Sequence, residues 1–253
     1  MNSDEPQLSI IVPAYNEEAR LGRTLSRIHK YFGNDSRLAN ALEIIVVDDG
    51  STDGTVRIAQ EWARTAPDCG FRLLSNERNR GKGFSVRRGI LEARSRIALF
   101  TDADLSAPIE ESEKLFAALA AGQDLAIGSR AIDRSLISTH QSVFRETAGI
   151  IFNAFVRLFT GLRLHDTQCG FKAFVREPCR IIFEQQRIEG FGFDPEILFL
   201  AGRHGLRTAE VPVRWSHDPA TKVHVLWDSL LMFGDLIYVR WNWLRGRYPV
   251  KGS

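Results

Sequence analysis

Asp102-Ala103-Asp104 follows the apolar run Ile97–Thr101 and precedes the turn Ser106-Ala107-Pro108. Alternate residues of an extended segment point the same way, so this triplet can bring two carboxylates to one hard cation. Mg²⁺ or Mn²⁺ shared with a ligand diphosphate suits such a pair, whereas two neighbouring carboxylates with no partner repel each other. A D-x-D triplet alone is common, and its place after an apolar run is what directs it toward metal. Asp48-Asp49-Gly50-Ser51 follows a second such run, and Pro13, Tyr15, Asn16 and Glu17 follow a third. Asp-Gly-Ser-Thr is equally good turn and cap chemistry, which leaves that segment open. In Asn79-Arg80-Gly81-Lys82-Gly83 the glycines permit close backbone approach. Lys82 can reach a phosphate or acidic partner there, or serve as a solvated charge at a helix start. The spacing is not that of a Walker loop, and no G-x-G-x-x-G follows the first run, which argues against a nicotinamide cofactor. His140, His165, His204 and His217 show no metal-ligand spacing and read as surface or packing residues.

The elements that must position these residues alternate in type. Short runs rich in β-branched residues, Leu8–Val12, Glu43–Val47, Phe71–Ser75, Ile97–Thr101 and Leu125–Gly128, are separated by helix-period stretches at Glu17–Phe32, Asp53–Thr65, Gly83–Ala93 and Ile109–Ala121. Ser51 and Thr52 are expected to cap the second helix. The alternation predicts a Rossmann-like α/β fold, a mostly parallel sheet with right-handed helical crossovers. Ligands bind beyond the carboxyl ends of such strands, where three strand ends converge on carboxylates. After Arg130 the alternation breaks. An aromatic, Arg-punctuated amphipathic helix is expected over Phe144–Leu164, then a second sheet piece with strands Phe171–Val175 and Thr208–Val213 around a helix Pro195–Arg203, then an aromatic-rich helix Val223–Leu244. No linker divides the chain.

At 253 residues the chain suits one large α/β domain. Lys and Arg number 33 against 31 Asp and Glu, so the net charge of +2 provides no field to imply nucleic acid as a partner. Cys69, Cys169 and Cys179 are odd in number and lack C-x-x-C spacing, which argues against a disulfide framework or structural zinc and suits a reducing cytosol. The segment Met1–Pro6 is polar and acidic, unlike a signal peptide. The longest unbroken apolar run, Leu115–Ala121, is seven residues, short of the roughly 18 that a spanning helix needs.

Taken together, the motifs resemble those of the inverting GT-A glycosyltransferases related to dolichyl-phosphate glucosyl- and mannosyltransferases. The resemblance rests on Ser9–Glu17, Val47–Thr55, Asn79–Gly83 and Phe100–Asp104, with later matches at Gly128-Ser129-Arg130, Asp166–Lys172 and Val211–Lys222, and covers nearly the whole chain. It implies a single GT-A domain over 1–253, with a nucleotide-sugar-binding half at 1–130 and an acceptor-binding half with interfacial helices at 131–253. It assigns Pro13, Tyr15, Glu17 and Asp49 to the base and ribose pocket. Asp102, Ala103 and Asp104 fall at the metal and sugar diphosphate, with Asp104 the stronger ligand, and Lys82 and Lys222 at further donor contacts. Arg130 and Arg145 resemble the arginines that clamp an acceptor phosphate, for which the guanidinium fork is apt. Asp166 and Gln168 are expected to shape that pocket, though Asp166 serves equally as a loop-structuring carboxylate. Asp194 stands where related transferases acting on hydroxyls carry a base. A lipid phosphate is already a competent nucleophile, so the expected catalysis is positioning plus electrostatic stabilisation of the departing diphosphate.

The activity so implied is inverting transfer of glucose from UDP-glucose to a dolichyl or polyprenyl phosphate with Mg²⁺ or Mn²⁺. The alternatives are a GDP-mannose-dependent enzyme, a transferase to a soluble hydroxyl acceptor, and a non-catalytic nucleotide-sugar-binding scaffold. Phe152, Phe155, Phe159 and Leu162 with Arg145, Arg157 and Arg163, and in the tail Trp227, Phe233, Tyr238, Trp241 and Trp243 with Arg240, Arg245 and Arg247, have the composition of a water–lipid boundary. Peripheral attachment at the cytoplasmic membrane face is expected, directly or through a membrane protein partner. Core packing or a homodimer contact accounts for either stripe equally simply.

Overall fold

The computed structural model describes residues 6–33, 41–67, 69–139, 142–217 and 225–249, with 143–145 and 225–230 described in backbone only. In chain order the first half runs β1 (Leu8–Ala14), α1 (Leu21–Gly33), β2 (Leu42–Asp48), α2 (Thr55–Thr65), β3 (Gly70–Ser75), α3 (Lys82–Glu92), β4 (Ile97–Thr101), α4 (Ser112–Ala120) and β5 (Leu125–Ser129). The second half continues with β6 (Ile137–Thr139), α5 (Val143–Thr160), β7 (Phe171–Val175), α6 (Arg176–Gln185), α7 (Phe193–Arg203), β8 (Thr208–Pro212), β9 (Trp215–Ser216) and α8 (Val225–Leu244).

Seven strands form one sheet in the order β3-β2-β1-β4-β7-β5-β8, and β6 pairs with β9 apart from it. All pairs of the large sheet are parallel except those of β7, which is antiparallel to both β4 and β5. The strands are continuous hydrophobic runs because both faces are covered. Ile10 and Val12 pack into one core with α1, α2 and α4, while Ile11 packs into a second core with α3, α6 and α7. Phe100, Phe174, Phe183 and Phe193 fill the second core without exposure, each worth about 1.5–3 kcal/mol by burial.

The structure departs from expectation at four places. Phe171–Val175 and Thr208–Pro212 do not start a second sheet; they join the first, and β7 enters between β4 and β5. Arg176–Gln185 forms a further helix, α6; its Pro178 stands in the first turn, where a missing N–H costs nothing. Ser51 and Thr52 do not cap α2: Asp53 Oδ1 accepts the Thr55 N–H at 2.9 Å, while Ser51 Oγ accepts the Asn16 N–H and the Thr52 N–H donates to Asn16 Oδ1. The Asp-Gly-Ser-Thr segment is thus a clamp that fixes the loop after β1. The helix expected at Ile109–Ala121 is a 3₁₀ turn, Ile109–Glu111, followed by α4.

α5 and α8 pack on each other through Phe152, Val156 and Leu236, with Phe233 edge-on to Phe155 and Phe159. Their outer faces leave Ile151, Leu158, Ile237, Trp241 and Leu244 in solvent, Leu158 being 76% exposed. Among the described residues no helix is long and apolar enough to cross a membrane.

Candidate active site

The carboxyl ends of β1, β2 and β4 open into a cleft of about 350 Å³. Register brings these ends level, Ala14 opposite Asp48 and Ile11 opposite Phe100. The structure gathers Pro13, Tyr15, Glu17, Asp49, Lys82, Asp102, Ala103 and Asp104 around this cleft, and adds Arg20, Ser85 and Phe191. Glu17 is ion-paired with Arg20. Asp49 accepts from Asn76 Nδ2 at 2.7 Å, from the Arg80 N–H at 3.0 Å and from the Gly81 N–H at 2.7 Å. Three of its roughly four acceptor positions therefore shape the turn before α3, leaving one for a ligand.

That turn delivers Lys82 to the cleft at the first residue of α3, where the helix dipole also favours an anion. Lys82 Nζ stands 2.5 Å from Asp102 Oδ1. Burial alone pulls the Lys82 ammonium down, but Asp102, Asp194 and Asp104 outweigh it, so the amine stays protonated above its usual range. Burial and the adjacent Asp102 push Asp104 up, and its hydrogen bond from the Ser106 N–H at 2.8 Å offsets this only in part. Two carboxylates thus face one ammonium, which leaves an excess of negative charge that a divalent cation would neutralise. Among the described residues no group of three His, Cys, Asp or Glu forms a closed metal cage. The pair therefore fits an ion that takes its remaining ligands from water and phosphate, the coordination habit of Mg²⁺. Asp102 also fixes the residue beneath it: a Cβ on Gly170 would enter its carboxylate.

A second cleft, about 450 Å³, is lined by Arg130, Asp166, Thr167, Gln168, Trp215 and one face of α5. Arg130 grips Asp166 through Nε at 2.6 Å and Nη2 at 2.8 Å. Asp166 also accepts the Arg130 N–H at 3.0 Å and the Gln168 N–H at 3.1 Å, so all its acceptor positions are occupied. Burial pushes the Asp166 carboxyl up, but the Arg130 guanidinium prevails and holds it at about 2. Gln168, which also lines this cleft, has its Nε2 buried without a hydrogen-bond partner.

Not every expected residue lines a cleft. Asp194 is 2% exposed, pushed up by burial and held at 2.6 Å from Lys172, whose ammonium also donates to the Cys169 carbonyl. It lies in the core beside Lys82 rather than on either cleft wall. The backbone places Arg145 in the first turn of α5, its side chain outside the described residues, and Lys222 lies outside them altogether. Arg134, Glu146, Asn153, Arg157 and Trp215 in the second cleft were not singled out as site residues. Glu146, Ile150, Asn153 and Arg157 follow helical spacing, so their common face was readable, but not what it faces.

Residues 9–183 match Glycosyl transferase family 2. The chain is 36% identical over 256 residues to a dolichyl-phosphate beta-glucosyltransferase of Dictyostelium discoideum, covering 98% of this chain and 78% of the relative. It is 37% identical to the enzyme of that name from Drosophila melanogaster, covering 98% and 79%. Among solved structures, glucosyl-3-phosphoglycerate synthase from Mycobacterium tuberculosis, in complex with Mn²⁺, UDP and glucosyl-3-phosphoglycerate, superposes with a TM-score of 0.66 at 23% identity, covering 98% of this chain and 82% of that one. Its likeness is in fold, the mostly parallel sheet flanked by helices of the GT-A type. With the acidic strand ends, the Lys82 turn and the family match in agreement, the chain belongs to glycosyl transferase family 2.

Proposed function

We propose that the chain transfers glucose from UDP-glucose to a dolichyl or other polyprenyl phosphate with inversion, assisted by Mg²⁺ or Mn²⁺, at a lipid surface. The observation that carries this reading is the presence of two clefts of unlike chemistry tied to one short segment. One holds carboxylates and Lys82, the other holds Arg130, and a single segment touches both: Asp166, Thr167 and Gln168 line the second while Gly170 lies against Asp102 of the first. The relatives from Dictyostelium discoideum and Drosophila melanogaster, both dolichyl-phosphate beta-glucosyltransferases by name, support the choice of sugar and acceptor.

In this reading Pro13, Tyr15, Glu17 and Asp49 hold the nucleoside, and Asp102 and Asp104 hold the divalent ion. That ion, when bound, supplies positive charge to the β-phosphate as the C1–O bond breaks. Lys82 and the amino end of α3 stabilise the same departing diphosphate. Arg130 presents the edge of its fork not used by Asp166 to the acceptor phosphate, and Arg145, in the first turn of α5, is the second candidate for that phosphate. An acceptor phosphate oxygen attacks C1 from the face opposite UDP, the C1–O bond to UDP breaks, and its electron pair leaves on the β-phosphate. The nucleophile carries about −1.5 to −2 charge, so no proton acceptor is needed and Asp194 stays paired with Lys172. The exposed apolar residues of α5 and α8 rest on lipid, consistent with an acceptor whose chain lies in a bilayer.

The test incubates the protein with a short polyprenyl phosphate and UDP-glucose or GDP-mannose, with Mg²⁺, Mn²⁺ or EDTA, and analyses the glycolipid by mass spectrometry and anomeric NMR. The expected product is a β-glucosyl lipid from UDP-glucose that EDTA abolishes. A mannolipid alone reassigns the donor, and no glycolipid from either donor overturns the reading.

A further inference from the structure

Lys82 is carried by a turn that rests on another segment's backbone. Gly81 has φ of +111°, and a Cβ there would lie 2.5 Å from the Glu189 carbonyl oxygen. The Phe84 N–H donates to that same oxygen at 3.0 Å, Gln186 Nε2 bridges the Gly83 and Ile188 carbonyls at 2.9 Å each, and Arg80 is ion-paired with Glu189. The 186–190 segment is held in turn by Glu196. This carboxylate is wholly buried and accepts the N–H groups of Arg187 at 3.0 Å and Ile188 at 2.8 Å. Its remaining donor is the Tyr248 hydroxyl at 2.6 Å, itself buried, in the turn that follows α8. Two further bonds join the same pieces: Gln185 Nε2 to the Pro249 carbonyl at 2.6 Å and Arg187 Nη2 to the Arg247 carbonyl at 3.2 Å. Neither Glu196 nor Tyr248 lines either cleft.

We propose that Tyr248 and Glu196 are positioning residues for donor binding, acting through the 186–190 segment to set the Gly81-Lys82 turn against Asp102. Each link is a hydrogen bond or a backbone contact. An anionic Glu196 satisfies three donors at once, whereas a neutral amide there would turn an NH₂ toward N–H groups. Loss of the Tyr248 hydroxyl leaves the carboxylate one donor short in a dry site and loosens its hold on 187–188. The Lys82 ammonium then samples positions away from the diphosphate. The inference rests on the reading that this cleft takes a nucleotide-sugar diphosphate.

The experiment is a double-mutant cycle on affinity for UDP and UDP-glucose with Mn²⁺, measured by calorimetry on the full chain. Tyr248→Phe is expected to weaken UDP about fivefold and to lower kcat/KM for the donor by at least that factor. In a Lys82→Ala background the same substitution is expected to change UDP affinity little, because its effect passes through the lysine. Equal weakening in both backgrounds, or no weakening in the wild-type background, overturns the proposal. Should the variant fold poorly, hydrogen exchange on the wild-type protein gives an independent answer. Reciprocity requires UDP with Mn²⁺ to increase protection at 186–190 and 242–249 as well as at 79–84, and unchanged exchange at 242–249 overturns the proposal. Failure of the wild-type protein to bind either UDP or UDP-glucose strikes the proposed function instead.

Discussion

Replacing Asp166 by asparagine separates the two clefts experimentally. The carboxylate receives four donors, the Arg130 N–H and Nε on Oδ2 and Arg130 Nη2 and the Gln168 N–H on Oδ1. Asparagine keeps one oxygen and turns an NH₂ toward two of those donors. The fall of the Asp166 pKa from 3.8 to about 2 corresponds to about 2 kcal/mol of interaction favouring the ionised form. The side chain is 7% exposed, so solvent screens little of this. Urea unfolding at pH 7 is expected to show Asp166→Asn less stable by about 2–4 kcal/mol, the upper end reflecting a guanidinium left without its counter-charge. Because the folded pKa is depressed, the wild-type advantage is complete above about pH 4 and fades as pH falls through about 2. The difference between the two proteins should therefore narrow at pH 2–3. With Arg130 released, KM for the polyprenyl phosphate should rise about tenfold or more while affinity for UDP with Mn²⁺ stays within about twofold. Equal stability at pH 7, or an equal loss of donor and acceptor affinity, would refute this account.

Other expectations follow from the same geometry. Gly170→Ala drives a methyl group into the Asp102 carboxylate, so metal-assisted UDP binding should weaken at least about tenfold while the fold, read by circular dichroism, is kept; undiminished binding would show that Asp102 is not a metal ligand. Lys82→Ala removes the cation that opposes burial at Asp104, whose pKa should rise further, and the acidic limb of the kcat/KM profile should move to higher pH. An unmoved limb would disconnect Asp104 ionisation from turnover. Leu158→Glu with Trp241→Glu should abolish flotation with anionic vesicles and leave transfer to a short-chain acceptor in detergent nearly unchanged, since both side chains lie on the outer face of the α5–α8 pair. Retained flotation would place the lipid contact elsewhere.

The sequence by itself determined much of the donor side. Uninterrupted runs such as Ile44–Val47 mark strands covered on both faces, and residues directly after parallel strands meet at one edge, so Pro13, Tyr15, Asp49, Asp102 and Asp104 could be grouped from local order alone. Local order also made the turn before α3 visible through its glycines. What it could not specify was strand order and the contacts that depend on it. The antiparallel entry of β7 between β4 and β5 brings Gly170 beneath Asp102, and only tertiary packing pairs Arg130 with Asp166, 36 residues away. The Ser51-Thr52 pair read as a helix cap because caps are local, yet the fold offered both residues a nearer use on Asn16. Asp194 stands where the family resemblance places a base, yet packing buries it against Lys172. Glu196 and Tyr248, 52 residues apart, carry no periodic signal at all. Periodicity and turn chemistry report on a residue's neighbours along the chain, whereas a buried charge is positioned by partners that only the closed sheet and its covering helices bring within hydrogen-bond distance.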